Sequence, residues 1–352
     1  MALEAFIRNI PKTEIHIHLE GAINPETFLK LSRKNKLEIP DHKNVSEIYQ
    51  YDNLLDFLKV YNMASRSVID ADDFHLITYE MLQACANSGA RYVEFFFSPH
   101  VHLECDVAYQ TMLAGMFRAM DDIETDFGLI SRLIPAHNRE LGLERGFEFL
   151  DMVLAHRTDK VIGIGLDFDE TPFPPAQFKP LFDRARQAGL HRTAHAGEGG
   201  PASNVRDSLD LLKVERIDHG YRVMEDLDLV ARCRADRTVF TICPSSTVGV
   251  TIWRDLAAKD HPIRQMIEAG LTIVVAADDP PMFETDLANE YQMLATNMNL
   301  DAAALKTLAL NSLEASWLDE SVKRDWRASW SREIDEQIAL LDAENSDALT
   351  SA

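Results

Sequence analysis

Thr193-Ala194-His195-Ala196-Gly197-Glu198-Gly199-Gly200 is the stretch on which the reading of the fold turns. A short run from Leu190 to Ala194 leads into His195, and the chain then passes through a glycine, a glutamate and two more glycines. Such a pattern suits a buried strand whose last side chain meets something polar before the backbone turns tightly. His195 is a candidate metal ligand and Glu198 a candidate acid or base. A strand end followed by an ordinary glycine turn has the same letters, so the other strand ends must decide.

Working outward, short β-branched runs alternate with longer stretches of helical period. The runs fall at 13–19, 92–97, 130–135, 161–166, 190–195, 216–219, 239–243 and 272–277. Helices are expected from Asn24-Pro25-Glu26, where Asn24 reads as a cap, and over 46–68, 71–88, 106–124, 140–156, 177–188, 204–213, 226–235 and 261–269. From 286 onward the chain reads as helix only. Eight strands alternating with helices is the count for a closed (β/α)8 TIM barrel, here one domain over 1–352 with a helical C-terminal extension from about 286 to 352. An open doubly wound sheet is the alternative, weakened because no Gly-x-Gly-x-x-Gly follows the first strand. In a barrel the chemistry gathers at the C-terminal ends of the strands.

Composition narrows the partners. The chain of 352 residues carries 35 basic against 57 acidic residues, a formal net charge of −22. Nucleic acid and anionic membrane surfaces both require a basic footprint, so neither is expected as a partner. Cys85, Cys105, Cys233 and Cys243 show no Cys-x-x-Cys spacing, which argues against a thiolate zinc site. The N-terminus has an acid where a signal peptide needs basic and then apolar residues, and no stretch approaches the ~20 apolar residues of a membrane span. The expected location is the reducing cytoplasm.

The polar residues at the strand ends carry the chemistry. His16 and His18 alternate along the first strand and so share a face. His100 and His102 repeat that spacing, but Pro99 precedes them and no apolar run encloses them, so they read as loop. The fifth strand ends in His195, the sixth in Asp218-His219-Gly220, and the eighth in Asp278-Asp279-Pro280-Pro281. Two adjacent acids after an apolar run are costly to bury unless a metal or hydrogen bonds compensate. Histidines and acids at the ends of strands one, five, six and eight are what a barrel would bring around a single catalytic metal. Zinc suits nitrogen and oxygen ligands of this kind; iron and manganese are alternatives.

His-x-His-Leu-Glu-Gly at 16–21, His-Ala-Gly-Glu at 195–198, Arg-Ile-Asp-His-Gly at 216–220, Cys-Pro-x-Ser at 243–246 and Asp-Asp-Pro at 278–280 together resemble the adenosine/adenine deaminase family. The resemblance runs from about residue 10 to about 300 and implies a zinc hydrolase of the amidohydrolase superfamily with one Zn2+ per chain. It implies His16, His18, His195 and Asp278 as ligands, Glu198 as proton donor to the purine ring, and His219 as the residue that orients or deprotonates the attacking water. Asp279 is implied as a hydrogen-bond partner of the purine. The family's reaction replaces the 6-amino group of a purine by oxygen and releases ammonia.

The choice of purine rests on finer features. Gly165-Leu166-Asp167, then Asp169-Glu170 and Pro174-Pro175, resemble the adenine branch, as does 211–220. The adenosine branch has a glycine where this chain has Phe168, and often an aspartate for the ribose where this chain has Glu20. Phe168 either blocks a ribose or turns into the core; Asp167 is positioned in sequence to accept N9–H of a free base. Three features depart from the adenine branch: Phe168-Asp169 replace Ser-Ser, Thr247 replaces Asn, and Ala276-Ala277 replace Asn-Ser. The leading expectation is therefore adenine to hypoxanthine plus ammonia, in purine salvage, with Asp279, Asp167, Phe168, Gly165 and Glu20 in the substrate site. Adenosine, an N6-substituted adenine or another aminopurine are the alternatives. A catalytically dead purine-binding relative would have lost Glu198 or a ligand, and a nucleotide-dependent oxidoreductase would show a glycine-rich phosphate loop. A small purine is the expected partner, with a homo-oligomer admitted.

Overall fold

In the computed structural model, which describes residues 3–39, 41 and 44–350, eight strands run parallel in sequence order. They are β1 (Lys12–His18), β2 (Ala90–Phe97), β3 (Ile130–Asn138), β4 (Gly163–Asp167), β5 (His191–Ala196), β6 (Arg216–His219), β7 (Val239–Ile242) and β8 (Thr272–Val275). The expected (β/α)8 barrel is present, and its seam is closed just beyond β8. His18 N–H donates to the Asp278 carbonyl at 2.8 Å, and Asp278 N–H donates to the His16 carbonyl at 3.0 Å. The same backbone segments that close the barrel thus present three of the candidate ligands. Pairing also sets neighbours level: His195 lies opposite Asp218, and Asp218 opposite Thr241.

Every residue of β1 is buried, as expected for a strand covered on both faces. Toward the N-terminal end of the barrel, Arg216 pairs with Glu94 at 2.5 Å and stacks 4.0 Å over the Trp317 ring. Trp317 links the C-terminal helices Ala302–Ala315 and Glu320–Thr350, and its N–H donates to Glu94. These helices therefore close the end of the barrel opposite the candidate site. Among the described residues no helix is long and apolar enough to cross a membrane.

Several helices differ from the expectation. Asn24 precedes the helix Pro25–Asn35 but its side chain makes no capping bond; it reaches Glu80 instead. The stretch 46–68 is a short 3-10 turn, Val45–Glu47, and a separate helix, Leu54–Ser65, because Asn53 caps a new start by accepting from Asp56 N–H. The helix expected over 204–213 divides into Ala202–Asp207 and a wider π turn, Ser208–Leu212. Leu3–Asn9 and Pro244–Val250 are helices that the periodicity did not predict. His100 and His102 lie not in a loop but on a buried helical turn, Pro99–Leu103, where His100 meets His137 at 3.1 Å and His102 meets Glu20 at 3.1 Å.

Candidate metal and active site

His16, His18, His195 and Asp278 converge at the C-terminal mouth of the barrel, each offering one ligand atom with all four atoms within 4.8 Å of one another. His18 Nε2 lies 3.2 Å from His195 Nε2, and Asp278 Oδ1 lies 3.2 Å from His16 Nε2 and 3.4 Å from His18 Nε2. His16 Nε2 is buried yet has no hydrogen-bond partner. Ring nitrogens that face one another around a carboxylate oxygen, with one lone pair unclaimed, fit a divalent cation. Their protonation fits as well. Burial, then the neighbouring histidines, holds His195 well below its ordinary range, and burial pushes His18 down to about 4. For Asp278 burial acts upward, but His16, His219 and His18 outweigh it and keep the carboxylate ionised. His16 is the exception: burial acts downward, but Asp278, Asp218 and Glu14 together raise it. The carboxylates that favour a proton there favour a metal ion equally.

The ligands are held from behind. Thr241 Oγ1 donates to Asp218 Oδ1 at 3.1 Å, so it accepts from His16 Nδ1–H at 2.7 Å, which leaves the His16 Nε2 lone pair for the metal. Thr193 Oγ1 donates to Asp218 Oδ2 at 2.7 Å, and that oxygen lies 3.6 Å from His195 Nδ1. Phe96 stacks on His18 with ring centroids 4.8 Å apart. The overlapping quartet of His16, His219, Cys243 and Asp278 also satisfies the spacing for a metal, but it shares two ligands with the first set.

Above the ligands opens a cleft of about 470 Å3, the open space at its mouth included. Its floor and walls carry His18, His195, Asp278, Glu198, His219, Asp279, Asp167 and Ser246. Its rim is apolar: Leu54, Phe57 and Leu58 from the helix Leu54–Ser65, with Phe168, Val250 and Phe283. Glu198 Oε2 lies 3.8 Å from His219 Nε2, and Asp278 Oδ2 lies 3.9 Å from the same nitrogen. Burial, reinforced by Asp278 and Glu170, raises Glu198 well above the ordinary carboxylate range. Burial pushes His219 down to about 3. Burial, then the Asp278 charge, raises Asp279 likewise, and its Oδ1 is buried with no partner. Two carboxyls that burial and neighbouring charge push upward and an imidazole that burial pushes downward thus surround the candidate metal position.

Asp167 Oδ2 accepts from Ser98 Oγ at 2.9 Å, whereas Oδ1 is buried and unpaired toward the cleft. Burial pushes Asp167 up to about 7. Phe168 follows in the left-handed region at φ 68; it lines the cleft, edge-on to Tyr61 at 6.0 Å, and also packs against the hydrophobic core. Two expected substrate residues are placed elsewhere. Glu20 is fully buried behind the wall, where Oε1 accepts from Ser98 N–H and His102 and Oε2 accepts from Tyr61 Oη–H at 2.9 Å; its oxygens are already occupied. Gly165 lies within β4 beneath Phe96, where a Cβ would come within 2.9 Å of that ring, so it makes room for packing rather than contacting a ligand. Thr247 turns its hydroxyl to the Cys243 carbonyl at 2.8 Å, away from the cleft.

Sequence reasoning missed Arg139, Glu170 and Tyr221. The buried Arg139 guanidinium donates to the carbonyls of Asp167, Leu166 and His195 at 3.0, 3.1 and 2.6 Å, binding the ends of β4 and β5 together. Tyr221 Oη–H donates to the Cys243 carbonyl at 3.4 Å, so the hydroxyl oxygen accepts from His219 Nδ1–H at 3.3 Å and leaves Nε2 free. All three stand just beyond strand ends, Arg139 directly after β3, Glu170 three residues after β4 and Tyr221 two after β6, but most of their partners are backbone groups, which the letters do not mark.

With this geometry in hand, comparison with known proteins is informative. The adenosine deaminase family model matches residues 11–330. The adenine deaminase of Acinetobacter baylyi is 36% identical over 323 residues, covering 91% of this chain and 96% of its own. The crystal structure of adenine deaminase from Arthrobacter aurescens superposes with a TM-score of 0.88 at 35% identity, over 94% of this chain and 99% of that one. An amidohydrolase from Burkholderia ambifaria, solved with bound Zn, gives a TM-score of 0.91 at 33% identity over 97% of this chain and 94% of that one.

Proposed function

The chain belongs to the adenosine deaminase family, and on that premise we propose that it hydrolyses free adenine to hypoxanthine and ammonia. The observation that carries the reading is the convergence of three histidines and Asp278 beneath a cleft walled by Glu198, His219, Asp279 and Asp167. We assign His16, His18, His195 and Asp278 to one zinc ion per chain, on the nitrogen and oxygen donor set and the likeness to a relative with bound Zn. The chemistry zinc supplies from such a set is the acidification of water to a pKa of about 7.

The chain's own residues do the rest. His219, neutral and with Nε2 free, takes the proton of the attacking water. Glu198, protonated, gives its proton to ring N1 as the C6–O bond forms, so that ring electron density has somewhere to go. The C6–N6 bond then breaks as N6 takes the proton that His219 accepted and leaves as ammonia, while the hydroxyl proton on C6 passes to Glu198 as the 6-oxo group forms. Protonated Asp279 donates to purine N7, and the unpaired Asp167 Oδ1 accepts N9–H, a proton that only the free base carries. Phe168 fills the space a ribose would need, and the apolar rim offers its hydroxyls no partner. The chain works as one barrel domain with its C-terminal helices, in the cytoplasm, in salvage of purines.

Dialysis against a chelator tests the metal assignment. Ammonia release from adenine should vanish and return with one equivalent of Zn2+ per chain. Undiminished turnover by metal-free protein would refute it.

A further inference from the structure

Glu170 is a buried carboxylate, 3% exposed, just past the substrate-facing end of β4, and the chemistry above does not use it. β5 ends at Ala196 and the backbone reverses at Gly197, with φ 77, so the amides that follow have no strand to pair with. One carboxylate takes them. Glu170 Oε1 accepts from Glu198 N–H and Gly200 N–H, both at 2.7 Å. Oε2 accepts from Gly197 N–H and from Asn204 Nδ2–H, both at 2.9 Å. The contact is so close that a Cβ on Gly200 would fall 2.8 Å from the carboxyl carbon, which explains the glycine there. All four contacts are donors, a pattern a carboxylate satisfies and a carboxamide of the same shape does not. The Glu198 backbone is thereby held from the rear while its side chain points forward to His219.

We propose that Glu170 is a positioning residue for the reaction: it holds the 197–200 turn so that the Glu198 carboxyl faces the edge of the bound purine. The inference rests on the deaminase reading. It also joins two parts of the site, because Glu170 lies three residues after Asp167 and two after Phe168, so the segment that meets the base also carries the clamp on the acid. Arg139 crosses the same two strands through their carbonyls, and Glu170 crosses them through the amides beyond.

The test is a double-mutant cycle with Glu198. Glu170→Gln turns an NH2 toward N–H donors and should release the turn. Since a misplacement of about 1 Å costs on the order of 100-fold, kcat for adenine should fall about 10- to 100-fold, with KM changed less than about threefold and metal content unchanged. In a Glu198→Gln background the same change should cost nothing further, because the group being positioned is gone. An equal loss in both backgrounds, a loss confined to KM or metal content, or an unchanged kcat would each overturn the proposal. Amide hydrogen exchange, which needs no substrate, should accelerate at Gly197, Glu198 and Gly200 while β5 stays protected; unchanged exchange overturns it too. Should Glu170→Gln not fold, Asn204→Ala removes one of the four donors and should lower kcat a few-fold, again only when Glu198 is present; a variant matching wild type in rate and exchange would count against the proposal. Wild type that releases no ammonia from adenine refutes the deaminase reading instead, and the exchange measurement still decides whether Glu170 holds the turn.

Discussion

Removing the Phe168 ring should open the site to a nucleoside with little change in stability. Phe168 sits at φ 68, where a residue with a side chain pays roughly 1–2 kcal/mol. Phe168→Gly relieves that strain but adds roughly 0.5–1 kcal/mol of backbone entropy cost, and loses part of the ~1.5–3 kcal/mol that a fully buried Phe contributes. These changes nearly cancel, so stability should move by less than about 1 kcal/mol. Selectivity should move more. Pocket contacts of even one methylene are worth about 1–3 kcal/mol, or 10- to 200-fold in kcat/KM, and here a whole ring leaves the wall. The ratio of kcat/KM for adenosine over adenine should therefore rise at least about tenfold. Phe168→Ala separates the two effects, because it removes the ring and keeps the strain. It should shift the ratio similarly while lowering the melting temperature relative to Phe168→Gly. Steady-state ammonia release on both substrates, with thermal melts alongside, makes the measurement. A ratio unchanged in both variants would refute the gating role and leave Phe168 as mere wall.

Other expectations follow from the same geometry. Glu198→Gln should lower kcat by about 10²- to 10⁴-fold, the usual worth of a positioned acid, with metal retained by elemental analysis; near-wild-type turnover would remove Glu198 from the chemistry. Asp218→Asn disturbs the group behind both His16 and His195 and should weaken metal affinity about 10- to 100-fold in chelator competition, with no effect if Asp218 merely fills space. The buried pair His100 and His137 gives a pH prediction away from the metal: burial pushes them down to about 3 and about 4, from 6.5. Because both folded values are depressed, their stabilisation is complete above pH 6.5 and is lost as pH falls from 6.5 toward the folded values. The His137 share is about 3 kcal/mol at most, so urea midpoints should drop between pH 6.5 and 4, and less steeply in His137→Asn; equal slopes would contradict it.

What was legible in the sequence is what periodicity and strand ends expose. Eight β-branched runs announced the barrel, and the two-residue spacing of His16 and His18 announced a shared face. Asp278 and Asp279 stood out because acids rarely end an apolar run without a partner. Glu170 and Arg139 did not stand out, because most of their partners are backbone groups, of the turn after β5 for Glu170 and of β4 and β5 for Arg139, and backbone hydrogen bonding leaves no mark in the letters. Glu20 was misplaced for a related reason: the occupants of its oxygens, Tyr61, Ser98 and His102, come from two elements distant in sequence. Pro244–Val250 escaped because Pro-Ser-Ser-Thr-Val-Gly-Val has poor intrinsic helix propensity, so its packing under the cleft, not its composition, makes it a helix. The two orientations left open for Phe168 were not exclusive: its ring lines the cleft and packs against the core as well, a placement set by tertiary structure.

The most direct test of the account is to give zinc-loaded protein adenine and adenosine in parallel and to follow ammonia together with the oxopurine product. The account predicts hypoxanthine from adenine, with kcat/KM for adenosine lower by at least about tenfold. Adenosine turned over as well as adenine, or no ammonia from adenine, would contradict it.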